Sequence, residues 1–79
     1  MKKSKINQAF GKLVVRMRKE IGISQLSLSA DIGSDAKYIS DVELGKRNIS
    51  LNFAARIARY FKVPLGDLLQ EASDLSKTL

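Results

Sequence analysis

The chain has no cysteine and no histidine among its 79 residues. Disulfides, thiolate zinc sites and iron–sulfur ligation are therefore excluded, and so is a Cys–His or Ser–His catalytic pair. Only a carboxylate-type metal site would remain. Asp31, Asp35 and Asp41 stand at no metal-ligand spacing and read as helix caps or surface acids. The expectation is no metal, no cofactor and no catalytic residue, so not an enzyme. No apolar run approaches the roughly 20 residues of a membrane span. The start, MKKSKINQAFGK, is basic but lacks the apolar stretch of a signal peptide. Linkers, internal repeats and low-complexity segments are also missing. A chain without cysteine fits a reducing, cytoplasmic setting. Aromatics are few: Phe10, Tyr38, Phe53, Tyr60 and Phe61 offer no stacking platform for single-stranded RNA.

What is present is a moderately apolar, basic chain. Hydrophobic residues make up 44%, enough for a small helical core, and the length permits one domain. The formal charge is +6, unevenly placed. Residues 1–62 hold 13 Lys/Arg against 5 Asp/Glu, whereas residues 63–79 hold one Lys against three acids. A basic body with an acidic end points to a polyanionic partner for the body.

Residues 24–43, SQLSLSADIGSDAKYISDVE, organise the rest. Ser24 can cap a short helix with its hydroxyl. Leu28 and Ile32 share one face of that helix, and Gly33 sits where it should stop. Asp35 offers a second cap. Ile39 and Val42 give the next helix an apolar face, flanked by Tyr38, and leave Ala36, Lys37, Ser40 and Asp41 outward.

The chain before and after this unit also reads as helical. Ser4 can cap a first helix whose stripe is Ile6, Phe10, Leu13, Val14, Met17 and Ile21, with Lys12, Arg16 and Lys19 on its polar face and Gly22 at its end. Gly45 stops the third helix, and a basic loop of Lys46, Arg47 and Asn48 follows, suited to a phosphate backbone. Ser50 caps a fourth helix with a stripe of Leu51, Ala54, Ile57, Ala58 and Phe61, leaving Arg56 and Arg59 solvated. That helix ends at Lys62, where glycine would be more usual. Pro64 suits the first turn of a fifth helix carrying Leu65, Leu68, Leu69, Ala72 and Leu75. The fold class is thus all-α, a five-helix bundle forming one domain over 1–79. The expected core spans about 6–72, with 1–5 and 73–79 mobile.

The pattern from about Phe10 to Leu69 resembles the Cro/CI-type (XRE) helix-turn-helix family of DNA-binding proteins. The matching residues are Arg18, Gly22, Gln25, Leu28, Gly33, Ile39, Ser40, Glu43, Gly45, Lys46, Arg47, Asn48, Ser50, Leu51, Ile57, Ala58, Val63 and Leu68. Departures are Leu26 for a usual charged residue, Ser29 for alanine, Ser34 for an apolar residue in the turn, and Ile49 for a frequent proline. The run YISDVELGKRNISL and the short length look most like controller proteins of restriction–modification systems.

The resemblance implies a regulator that binds double-stranded DNA as a homodimer on a palindromic operator, with the second helix of the motif in the major groove. Ala36, Lys37, Ser40 and Asp41 become the base-reading residues. Lys37 can donate to guanine, and Asp41 can accept from cytosine or orient a neighbouring cation. Gln25, Tyr38, Lys46, Arg47, Asn48 and Ser50 become backbone contacts, and Gln25 also buttresses the recognition helix. Arg18 and Glu43 become a structural ion pair, and Leu65, Leu68 and Leu69 the dimer interface. Two other readings stay open. One is a general repressor or activator of the same fold. The other is an antitoxin or protein-interaction module, which would explain the leucine stripe but not the basic loop.

Overall fold

The computed structural model describes residues 4–79, which form five helices and, among the described residues, no strand. They are α1 (Lys5–Glu20), α2 (Gln25–Ile32), α3 (Ala36–Glu43), α4 (Leu51–Tyr60) and α5 (Leu65–Ser76). The expected mobile start falls largely outside the described residues, and Ser4 and Lys5 already belong to the start of α1. The end differs from expectation. α5 continues through residues 73–76, because Leu75 still packs against the core and gives the last turn a reason to stay folded.

Local chemistry sets the helix starts. The side chains of Ser4, Ser24, Asp35 and Ser50 each accept a hydrogen bond from the backbone N–H three residues on, satisfying one orphan donor of the first turn. α5 lacks such a cap: Pro64 stands just before its first turn. The turn of the motif closes as α2 ends. Gly33 takes φ 71°, which places the Ser34 N–H 2.8 Å from the Ser29 carbonyl. Ser34, the polar departure in this turn, therefore leaves the bond pattern intact.

The core gathers Phe10, Leu13 and Val14 from α1, Leu28 from α2, and Ile39 and Val42 from α3. Phe53, Ala54, Ile57 and Ala58 join from α4, and Leu68 and Ala72 from α5. Helix α1 packs chiefly on α5 and α3, α2 packs on α3, and α4 bridges α2 and α5. Gly11, in the middle of α1, makes the closest approach. A Cβ built there would lie 2.2 Å from the Val42 carbonyl oxygen, so α1 meets the end of α3 backbone to backbone. Ser29 is buried, and its hydroxyl donates to the Leu26 carbonyl at 2.7 Å. That bond removes the penalty of an unpaired polar group where alanine would be usual.

Three stripe assignments fail at their edges. Leu51 is 71% exposed, and Ile6 and Ile21 lie outside the core as well. Helical spacing marks the face these residues share, but at a helix end no neighbouring element covers that face. In α4 the first buried apolar residue is instead Phe53, one turn before Ile57. Leu68, expected at a dimer interface, is 2% exposed within the single chain and belongs to the core. Its burial leaves no surface to offer a second copy, whereas Leu65 and Leu69 are only partly buried.

Candidate nucleic-acid interface

Helix α3 carries the candidate interface, and three braces fix it. The first is the pair between Arg18 of α1 and Glu43 in the last turn of α3. Arg18 Nε donates to Glu43 Oε2 at 2.8 Å and its Nη2 to Oε1 at 3.0 Å, a two-pronged match of planar groups. The Glu43 side chain is 5% exposed. The hydrogen bond to Glu43 pushes the Arg18 guanidinium further above its ordinary pKa, against the effect of burial. Arg18 also donates to the Ile23 carbonyl at 3.0 Å, so one side chain joins α1, the α1–α2 turn and α3.

The second brace is Gln25, at the first position of α2. Its amide Nε2 donates to Glu43 Oε1 at 2.8 Å. The expected buttress is therefore present. The third brace is Asn7 of α1, which holds the basic loop. Its Nδ2 donates to Asn48 Oδ1 at 2.9 Å, while its Oδ1 accepts from the Ile49 N–H at 3.0 Å. Sequence reasoning missed this residue. An asparagine in the first turn of a helix carries no local sign of a partner 41 residues away.

Between these braces lies the outward chemistry. Lys37 is well exposed, whereas Ala36 and Ser40 are partly covered. Asp41, expected to read a base, is 7% exposed. Its carboxylate is occupied from two sides: Lys37 Nζ lies 2.9 Å from Oδ1 and Arg47 Nη2 lies 3.3 Å from Oδ2. Of the two roles open to Asp41, the geometry fits orienting cations and not accepting from a base. The Lys37 hydrogen bond is the main cause that holds the Asp41 carboxyl below the usual carboxylate range, with Arg47 adding to it against partial burial.

Arg47 is also held over the Tyr38 ring, its guanidinium carbon 5.3 Å from the ring centre. Tyr38 meets Phe53 edge-on at 5.1 Å, and Phe53 meets Phe10 at 6.4 Å. A column of rings thus runs from the core to the surface and ends beneath Arg47. Tyr38 supports this cation from below. Lys46 is exposed beside it. The Ser50 hydroxyl accepts from the Phe53 N–H at 3.0 Å, so its oxygen is committed to capping. An open cleft bordered by Ser34, Asp35, Tyr38, Ser50, Asn52 and Arg56 separates the α2–α3 turn from the start of α4.

Other cations have different partners. Arg16 pairs with Glu20 on its own helix and with Glu71 of α5. Arg56, expected to be solvated, donates to the Ile32 carbonyl and ties α4 to the end of α2. The Tyr60 hydroxyl donates to Asp31 at 2.7 Å, which raises the tyrosine pKa. Among the described residues no group of three acidic side chains could hold a metal ion, and no helix is long and apolar enough to cross a membrane.

Comparison with known proteins identifies the family and the fold. Residues 15–68 match the family described as helix-turn-helix. The control protein C.MunI of Mycoplasma sp is 38% identical over 69 residues, which cover 86% of this chain and 89% of that protein. The crystal structure of the restriction-modification controller protein C.AhdI from Aeromonas hydrophila superposes with a TM-score of 0.72 at 31% identity, over 78% of this chain and 90% of that one. The clp gene regulator ClgR from Corynebacterium glutamicum superposes at 0.83 with 20% identity, over 92% of this chain and 78% of that one, a likeness of fold. With α3 braced by Arg18 and Gln25, its following loop held by Asn7, and with these relatives, the chain belongs to the XRE-type helix-turn-helix family of DNA-binding transcription regulators.

Proposed function

We propose that this regulator acts as a homodimer on a palindromic operator in the cytoplasm, and that it controls a restriction–modification locus. The likeness to C.MunI and C.AhdI supports the choice of locus. The observation that carries the mode of binding is the grouping of Lys37 and Arg47 around Asp41, with exposed Lys46 adjacent in the loop, on a base that Arg18, Gln25 and Asn7 make rigid. α3 enters the major groove, whose base edges carry a distinct donor–acceptor pattern for each pair. Lys37 reaches base edges, and Ala36 and Ser40 sit close enough to the groove floor to add contacts. Arg47, Lys46 and the loop amide groups grip phosphates and set the register. Gln25, Tyr38, Asn48 and Ser50 stand around this grip. The Gln25 amide is engaged with Glu43, so Gln25 acts through position, whereas the Tyr38 hydroxyl, the Asn48 Nδ2 and the Ser50 hydroxyl proton are donors suited to phosphate.

A helix of eight residues reads few base pairs. Two copies related by a twofold axis double the site and make it a palindrome, with half-sites about 10 base pairs apart. Leu65 and Leu69 on α5 are partly covered apolar residues available for that contact.

Substitution separates the two kinds of DNA contact. Lys37→Ala weakens binding to the operator by about 1–3 kcal/mol and relaxes preference at one base pair. Arg47→Ala weakens all sequences alike and lowers the salt slope by about one. Equal loss on every sequence for Lys37→Ala would make it a phosphate contact. An unchanged slope for Arg47→Ala would remove it from the interface.

A further inference from the structure

We propose that Asp41 is a specificity-determining positioning residue: its carboxylate keeps Lys37 off the phosphates of arbitrary DNA and aims it at base edges, while Arg47 keeps its phosphate contact on any duplex. This rests on the reading of α3 as the groove-entering helix.

A carboxylate on the side of a protein that meets a polyanion opposes binding. A surface built only for affinity would not carry one there. The other acids near α3 have evident structural work. Asp35 caps the helix, and Glu43 ties it to Arg18 and Gln25. Asp41 is different. Both of its partners are exposed: the side chain of Lys37 is 78% exposed and that of Arg47 is 50% exposed, while that of Asp41 is 10% exposed. Neither contact joins two packed elements of the core. Lys37 lies one turn away on the same helix, a pairing of small structural worth. Arg47 lies in the loop and already rests on the Tyr38 ring. What the carboxylate does is decide where two cations point.

The donor inventory shows how this yields selectivity. The lysine ammonium has three N–H donors, of which one faces Asp41, leaving two free in a fixed direction for guanine O6 and N7. Arg47 keeps donors for a phosphate after meeting Asp41, held in one place by the ring below it. On a random duplex the attraction comes from protein cations displacing counterions from phosphates, and a lysine tied to a carboxylate supplies less of it. On a matching duplex both stay in position, and no buried charge is stranded. Asp41 thus lowers nonspecific binding more than specific binding.

The test compares wild type, Asp41→Asn and Asp41→Glu on two duplexes. One is recovered from a random library by the wild-type protein, and the other is a scramble of the same composition. For Asp41→Asn, binding to the scramble tightens and its salt slope steepens by about 0.9. The ratio of the two affinities falls about tenfold, the worth of one base-discriminating contact. Asp41→Glu keeps the charge but moves it by one methylene, so the ratio falls while the slope stays put. This variant decides the matter even where Asp41→Asn does not fold. If both variants retain the wild-type ratio, with any change equal on the two duplexes, Asp41 is an ordinary charge and the proposal fails alone. If the wild type itself shows no preference, the reading of α3 fails and takes Asp41 with it.

Discussion

Gly11 is the residue on which the position of the recognition helix turns. A methyl group at this position would meet the carbonyl oxygens of Val42 at 2.2 Å and Glu43 at 2.9 Å, both backbone atoms that cannot rotate aside. Gly11→Ala should therefore destabilise the fold by about 1–3 kcal/mol or more, although alanine is the better helix former. Thermal or urea unfolding measures it, and an unchanged stability would mean that α1 and α3 do not approach this closely. The sequence gives no hint of this constraint. A glycine inside a helical pattern reads only as a weak helix former, because its reason lies on another helix. Asn7 is hidden in the same way. Arg18 and Glu43 were legible only through the resemblance, since 25 residues separate them and neither breaks the pattern of its own helix. Asp41 was legible as a choice between two roles, which its burial between Lys37 and Arg47 narrows.

Helix boundaries were the most readable feature, because caps act within one turn of chain. Ser4, Ser24, Asp35 and Ser50 cap as expected. The ends of α1 to α4 share one pattern. In each, the residue after a left-handed position returns its N–H to a carbonyl five residues earlier: Ile23 to Arg18, Ser34 to Ser29, Lys46 to Asp41 and Val63 to Ala58. The residue that must turn left-handed is glycine in three of them and Lys62, at φ 59°, in the fourth. A side chain there strains the backbone by about 1–2 kcal/mol, partly offset because glycine loses more entropy on folding. Lys62→Gly should stabilise the protein by about 0.5–1 kcal/mol without altering DNA binding. A loss of stability in chemical denaturation would show that the lysine side chain makes a contact worth more than the strain. Helix stripes were read less well than helix ends. Leu51, Ile6 and Ile21 obey the spacing yet stay exposed, and Leu68 lies deeper than an interface residue can. Spacing fixes which residues share a face, whereas burial depends on what other helices bring to that face.

At the level of the molecule, the basic face and the acidic end have separate partners. The cations Lys37, Lys46 and Arg47 cluster at α3 and its loop, while the acids of α5 lie elsewhere, with Glu71 meeting Arg16 on α1. The fold and its family were legible because the helix-turn-helix spacing is carried by local signals: a cap, a left-handed glycine, a second cap and a short apolar face. The arrangement that makes α3 rigid was not, since it depends on side chains from α1 and α2 converging on Glu43 and the loop. In the proposed mode of action this rigid unit reads DNA sequence in two copies. Selection from a random duplex library at about 150 mM salt, followed by sequencing, tests it most directly. This mode of action predicts an enriched palindrome with half-sites about 10 base pairs apart. A single half-site without symmetry would contradict the dimer, and no enrichment, with binding only at low salt, would contradict sequence reading altogether.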